Sequence, residues 1–75
     1  MDMDTWTLDI AHNGADNPAD RRWRIEYLSH SGSYHIGPLT TAQAIALCDA
    51  AAEAGEDDRE GWEDVLWRWA NGWRP

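Results

Sequence analysis

Lysine and phenylalanine are absent from this 75-residue chain, cysteine occurs once, and no apolar run approaches the roughly 20 residues that a membrane-spanning helix requires. A lone cysteine, Cys48, excludes an intramolecular disulfide and with it a framework matured by oxidation. The opening Met1-Asp2-Met3-Asp4 is acidic where a secretory signal is basic, so the expected compartment is the cytoplasm. Positive charge is scarce as well: six arginines face 14 acids, a formal net charge of -8. That balance disfavours direct nucleic-acid binding and adsorption to an anionic membrane. Missing Lys and Phe alongside plentiful Ala, Asp, Arg, Gly and Trp fits a G+C-rich coding sequence, such as that of a bacterium, or of a phage or mobile element within one.

Six tryptophans are the main apolar resource. Each can bury roughly 150–250 Å², enough together for a small core without disulfide or metal. One acidic α+β domain spanning residues 1–75 is the expected organisation, with no repeat and no second domain.

Period-two alternation marks the first half. Thr5 to Ala11 sets Trp6, Leu8 and Ile10 against Thr5, Thr7 and Asp9; Arg22 to Leu28 sets Trp23, Ile25 and Tyr27 against Arg22, Arg24 and Glu26. Between them, His12 to Asp20 holds Asn13-Gly14 and Asn17-Pro18, residues that form turns. A short turn, Ser29-His30-Ser31-Gly32, leads to a third strand through Tyr34 and Ile36, expected to stop at Gly37-Pro38.

Period 3.6 takes over from Thr40. Thr40-Thr41-Ala42-Gln43 has capping-box form and opens a helix whose apolar positions are Ala44, Ile45, Leu47, Cys48, Ala51 and Ala52, with Gly55 as a left-handed terminator. Asp57 and Glu60 form a second box ahead of Trp62, Val65, Leu66, Trp69 and Trp73, and Gly72 closes that helix. The expected architecture is therefore a three-stranded antiparallel sheet (β-β-β) followed by two helices packed on one face, with an Ala-rich helix that permits close approach of its neighbour.

Chemistry-bearing patterns are few. His12, His30, His35 and Cys48 are scattered without paired metal-ligand spacing, so neither a metal nor a cofactor is implied. Cys48 falls on the expected apolar face of a helix, as a small buried hydrophobe rather than a nucleophile, and no catalytic residue is assigned. Arg21, Arg22 and Arg24 form the basic cluster, expected to pair with Asp9, Asp16 or Asp20 across the hairpin. Asp49 to Asp64 contains eight acids and one base, Arg59, which either solvates and caps the helices or offers an acidic surface to a basic groove, including mimicry of a nucleic-acid backbone. Trp67 sits opposite Trp62 and Trp69 on the second helix, among Glu60, Glu63, Asp64 and Arg74; it is either an anchor for a partner or the cover of the helix-helix seam or the sheet edge.

These features lead to a non-enzymatic protein that binds a basic surface on another protein, of the small phage or mobile-element inhibitor kind. Its candidate contacts are Trp67, Glu53, Glu56, Asp57, Asp58, Glu60, Glu63 and Asp64, with the loop His12 to Asp20 as a secondary surface. The alternative is an accessory domain that self-associates, as a homodimer, through exposed aromatics. Gly37-Pro38-Leu39-Thr40, following Trp23 and Tyr27 and leading into a helix, loosely resembles the helix entry of GYF-like modules. That likeness covers under half the chain and implies a peptide-binding module, but Gly55-Glu56-Asp57 stands where the family's Gly-aromatic-aromatic element would come. The outline of three strands then a helix also resembles the small DNA-binding domains of phage integrases, whose basic sheet face this chain lacks.

Overall fold

The computed structural model describes residues 5–30 and 32–75. The opening acidic residues and Ser31 of the predicted turn lie outside that range. Among the described residues the order is β1 (Trp6–His12), a 3-10 turn (Pro18–Asp20), β2 (Trp23–Ser29), β3 (Gly32–Leu39), α1 (Thr41–Ala54) and α2 (Asp58–Ala70). The strands form one antiparallel sheet in the order β1-β2-β3, so the α+β class and the expected strand-strand-strand-helix-helix order hold. The chain divides into two compact units, the first ending at Thr41 and the second comprising Ala42–Pro75.

In the first unit, register carries the alternation from strand to strand. Leu8 faces Tyr27, which faces Tyr34, and Ile10 faces Ile25, which faces Ile36. Ile25, Tyr27 and Leu39 are buried. Trp6 stacks on Tyr27 at 5.9 Å between ring centroids, and Tyr34 tilts against it at 6.3 Å. Offset and tilted pairs of this kind add to the burial of the rings themselves. Ile10 departs from expectation: near the open end of edge strand β1 it is 36% exposed.

β3 does not stop at Gly37-Pro38 but runs on to Leu39. The ladder takes up the extra residue as an irregularity opposite Trp23 to Ile25, after which Leu39 pairs with Trp23. Gly37 has a φ of +142°, and a Cβ there would stand 2.8 Å from the Trp23 carbonyl oxygen. Only glycine lets β3 pass β2 that closely.

The second unit is a helix pair. Ala44, Leu47 and Ala51 of α1 and Gly61, Trp62, Val65 and Leu66 of α2 are buried, each large side chain worth roughly 1.5–3 kcal/mol on leaving water. The expected close approach is present, and its seat is Gly61 against the Ala51 backbone. Three expectations for α1 fail, because Ile45 is 57% exposed and Cys48 and Ala52 are exposed too. The helix is apolar on nearly every side, so its pattern does not choose a face. Gly55 is not left-handed, since positive φ among the glycines occurs at Gly14, Gly37 and Gly72; its lack of a Cβ instead clears Glu60 and Gly61, 2.7 Å away.

The tryptophans do not fill the interior as expected. Of the six, Trp62 alone is buried; Trp6, Trp23, Trp69 and Trp73 are half-buried, and Trp67 is exposed. Indoles are large and carry an N–H that seeks a partner, so they settle at boundaries while Ile, Leu, Val and Tyr close the core.

Candidate functional site

The ends of α2 are fixed by local chemistry. Asp57 adopts an extended backbone and its Oδ1 accepts the Glu60 N–H at 2.8 Å, the N-cap expected from its spacing. The Glu60 carboxylate reaches back to accept the Glu56 N–H at 3.3 Å, one residue before the cap. At the other end Trp73 N–H donates to the Arg68 carbonyl at 2.9 Å and Gly72 N–H to the Trp69 carbonyl at 3.0 Å. With Gly72 at φ +97° these bonds form a Schellman closure.

Between these ends, 3.6-residue periodicity divides α2. Gly61, Trp62, Val65 and Leu66 take the buried side. Trp67 takes the opposite one and is 58% exposed. Glu60, Glu63 and Asp64 precede Trp67 by seven, four and three residues, which gathers all four on one face. The structure therefore favours the exposed reading of Trp67 over a seam cover. Arg74 engages Trp69: the guanidinium lies 3.7 Å over the Trp69 ring and donates to the Trp69 carbonyl at 2.9 Å.

Two carboxylates on this face are held by arginines one turn away. Arg59 Nε meets Glu63 Oε1 at 2.9 Å and Arg68 Nη2 meets Asp64 Oδ2 at 3.0 Å. Such i,i+4 pairs fix side-chain positions more than they stabilise, at roughly 0.3–0.5 kcal/mol each. A carboxylate offers about four lone-pair sites, so each pair leaves acceptor capacity for a further donor.

The other candidates stand elsewhere. Asp58 lies nine residues before Trp67, on the far side of α2 and roughly 14 Å away along its axis. Glu56 and Asp57 belong to the turn between the helices, and Glu53 to the last turn of α1. All four are exposed, and Asp57 is engaged as a cap. The eight predicted contacts thus separate into a compact face (Glu60, Glu63, Asp64, Trp67) and a flanking acidic rim.

The basic cluster behaves otherwise than expected. Arg21 Nε donates to the Ala15 carbonyl at 3.1 Å, and Arg22 Nη1 to the Ala19 and Arg21 carbonyls at 3.1 and 2.8 Å. Arg24 pairs loosely with Glu26, on its own strand, at 3.8 Å. Arg21 and Arg22 therefore brace the β1–β2 loop through its backbone, and Arg24 turns to Glu26, instead of meeting Asp9, Asp16 or Asp20. Carbonyls of a tightly folded loop converge where guanidinium donors can reach several at once. Sequence spacing gives no sign of this.

Cys48 is solvent-exposed rather than buried. Partial desolvation, with the negative charge of Asp49 adding to it, pushes its thiol above the ordinary range, away from the thiolate a nucleophile needs. Among the described residues no three His, Cys, Asp or Glu side chains cluster closely enough for a metal ion, and no helix is long and apolar enough to cross a membrane. No protein-family model, curated protein or solved structure matches this chain.

Proposed function

We propose that this chain is a non-enzymatic binding protein whose α2 face, with Trp67 at its centre and Glu60, Glu63 and Asp64 around it, docks onto a basic surface of another protein. The observation that carries this reading is the 58% exposure of Trp67 within a turn or two of three carboxylates. Trp is enriched at binding hot spots, and an exposed indole beside carboxylates on a capped helix is suited to that role. The surrounding carboxylates select a cationic rim around the pocket that receives the ring.

Charge supports the same partner class at longer range. Residues 42–75 hold eight acids against three arginines, and Glu53, Glu56, Asp57 and Asp58 extend the negative field beyond the contact face. Such a field speeds encounter with a cationic surface and repels nucleic acid. A small acidic inhibitor of a nucleic-acid-handling protein, as a phage or mobile element would encode, fits this description. Its carboxylates would occupy the groove meant for phosphates.

Affinity capture tests the proposal. The immobilised chain should retain basic proteins from a lysate of its host, release them with salt, and lose them when Trp67→Ala or the triple change Glu60→Lys, Glu63→Lys, Asp64→Lys is introduced. Retention that both variants share with the parent chain would rule the proposal out. A concentration-dependent dimer in sedimentation, abolished by Trp67→Ala, would transfer the face to self-association.

A further inference from the structure

One hydrogen bond fixes the sense of the β1–β2 ladder. Asn13 N–H donates to the Arg22 carbonyl at 3.1 Å, one step beyond the last ladder pair, His12 with Trp23. Hydrogen-bonded and non-bonded pairs alternate along an antiparallel ladder, so Thr7, Asp9 and Ala11 are the residues that bond β2. Leu8 and Ile10 therefore turn their N–H and C=O groups away from β2. β1 is the outer strand of the sheet, and among the described residues no other group bonds to those of Leu8 and Ile10.

Few features blunt this edge. All seven residues of β1 pair with β2 in unbroken register, without Pro, Gly or a bulge. An edge of that kind is a template for a further strand. β3, at the opposite edge, contains Gly37, Pro38 and a register irregularity, which guard it.

The side chains of β1 make the edge selective. Leu8 and Ile10 share the face that carries Ile25 and Tyr27, and Ile10 is 36% exposed. Asp9 lies between them on the other face, directly opposite Glu26. Arg24 meets Glu26 at 3.8 Å and His35 meets it at 3.6 Å, whereas among the described residues no cation pairs with Asp9. Like charges directly opposite are unfavourable, so the open place beside Asp9 favours a cation. A second copy of β1 does not supply one. The register that pairs the whole strand with itself, Trp6 with His12, sets Asp9 against its own copy.

We propose that the open edge of β1 receives an extended segment of another protein as a fourth strand, with Arg or Lys opposite Asp9 and apolar residues opposite Leu8 and Ile10. Main-chain bonds to Leu8 and Ile10 hold the segment, and its alternating side chains select it. This surface belongs to the sheet unit and does not depend on docking by α2.

A blocked peptide, Thr-Val-Arg-Val-Thr, is the probe. Thr-Val-Glu-Val-Thr reverses its charge, and the Arg peptide N-methylated at both valines removes the main-chain donors. In the isotope-labelled chain without peptide, the Leu8 and Ile10 amides should exchange with solvent faster than those of Asp9 and Ala11. The Arg peptide should shift the Leu8 and Ile10 signals saturably and slow their exchange, the Glu peptide should bind about fivefold or more weakly, and the N-methylated peptide should not bind. Asp9→Asn, a change at an exposed side chain, should weaken the Arg peptide roughly two- to fivefold. No saturable shift at Leu8 and Ile10 up to about 10 mM Arg peptide, or equal binding of its N-methylated form, would overturn the added strand. Equal affinity for the Arg and Glu peptides would overturn the role given to Asp9. Protection of Leu8 and Ile10 that grows with chain concentration alone would give the edge to a second copy and overturn the proposed occupant.

Discussion

Gly61 of α2 lies directly against Ala51 of α1: a Cβ placed on Gly61 would stand 1.9 Å from the Ala51 carbonyl oxygen and 2.9 Å from its carbonyl carbon. Backbone meets backbone there, so no side chain can rotate aside. Gly61→Ala should destabilise the fold by up to about 2 kcal/mol, because helix propensity returns only about 1 kcal/mol while forced separation of the helices costs up to about 3. Chemical denaturation of the two proteins measures this directly. Stability equal to or above the parent's would mean that the helices do not cross at this point.

The two caps of α2 are separable. Asp57→Ala removes the acceptor for the Glu60 N–H and should cost about 1 kcal/mol, whereas Asp57→Asn should restore most of it. Gly72→Ala should cost about 1–2 kcal/mol for a different reason: nothing crowds a Cβ there, but a φ of +97° is unfavourable for any L side chain. Denaturant midpoints and helical circular dichroism distinguish an effect at one end from general unfolding.

Cys48 should be accessible yet sluggish. Because its thiol is raised above the ordinary range, less thiolate is present at pH 8 than in an unstructured peptide, and alkylation by iodoacetamide should be slower in the folded chain. Asp49→Asn should accelerate it, though less than unfolding in urea does, since desolvation is the larger cause. A folded-state rate equal to the peptide's would contradict the perturbed environment.

Much of this architecture was legible where the determinants are local. The alternation of Trp23, Ile25 and Tyr27 with Arg24, Glu26 and Leu28 gave β2 and its inner face, and Asp57 with Glu60 and Gly72 announced both ends of α2. What local pattern does not encode is which surfaces approach each other. Gly61 reads as an ordinary weak point in a helix until the Ala51 carbonyl is placed beside it. Ile45, Cys48 and Ala52 read as core because α1 is apolar nearly all round, and burial is then decided by what lies alongside. Gly37 and Pro38 carry the usual marks of a strand's end, yet the ladder resumes at Leu39 through an irregularity that needs its partner strand to be seen. For the candidate site, spacing alone brought Glu60, Glu63, Asp64 and Trp67 together, and it also admitted Asp58, which the helix turns to the far side.

An indole anchor and electrostatic steering leave different marks on binding kinetics, measured against a captured partner at several salt concentrations. Trp67→Ala should speed dissociation about tenfold or more while leaving the salt dependence of association intact. Reversing Glu60, Glu63 and Asp64 to Lys should instead slow association and flatten that dependence. Variants of both kinds that associate and dissociate at the parent's rates, at every salt concentration, would show that this face does not meet the partner.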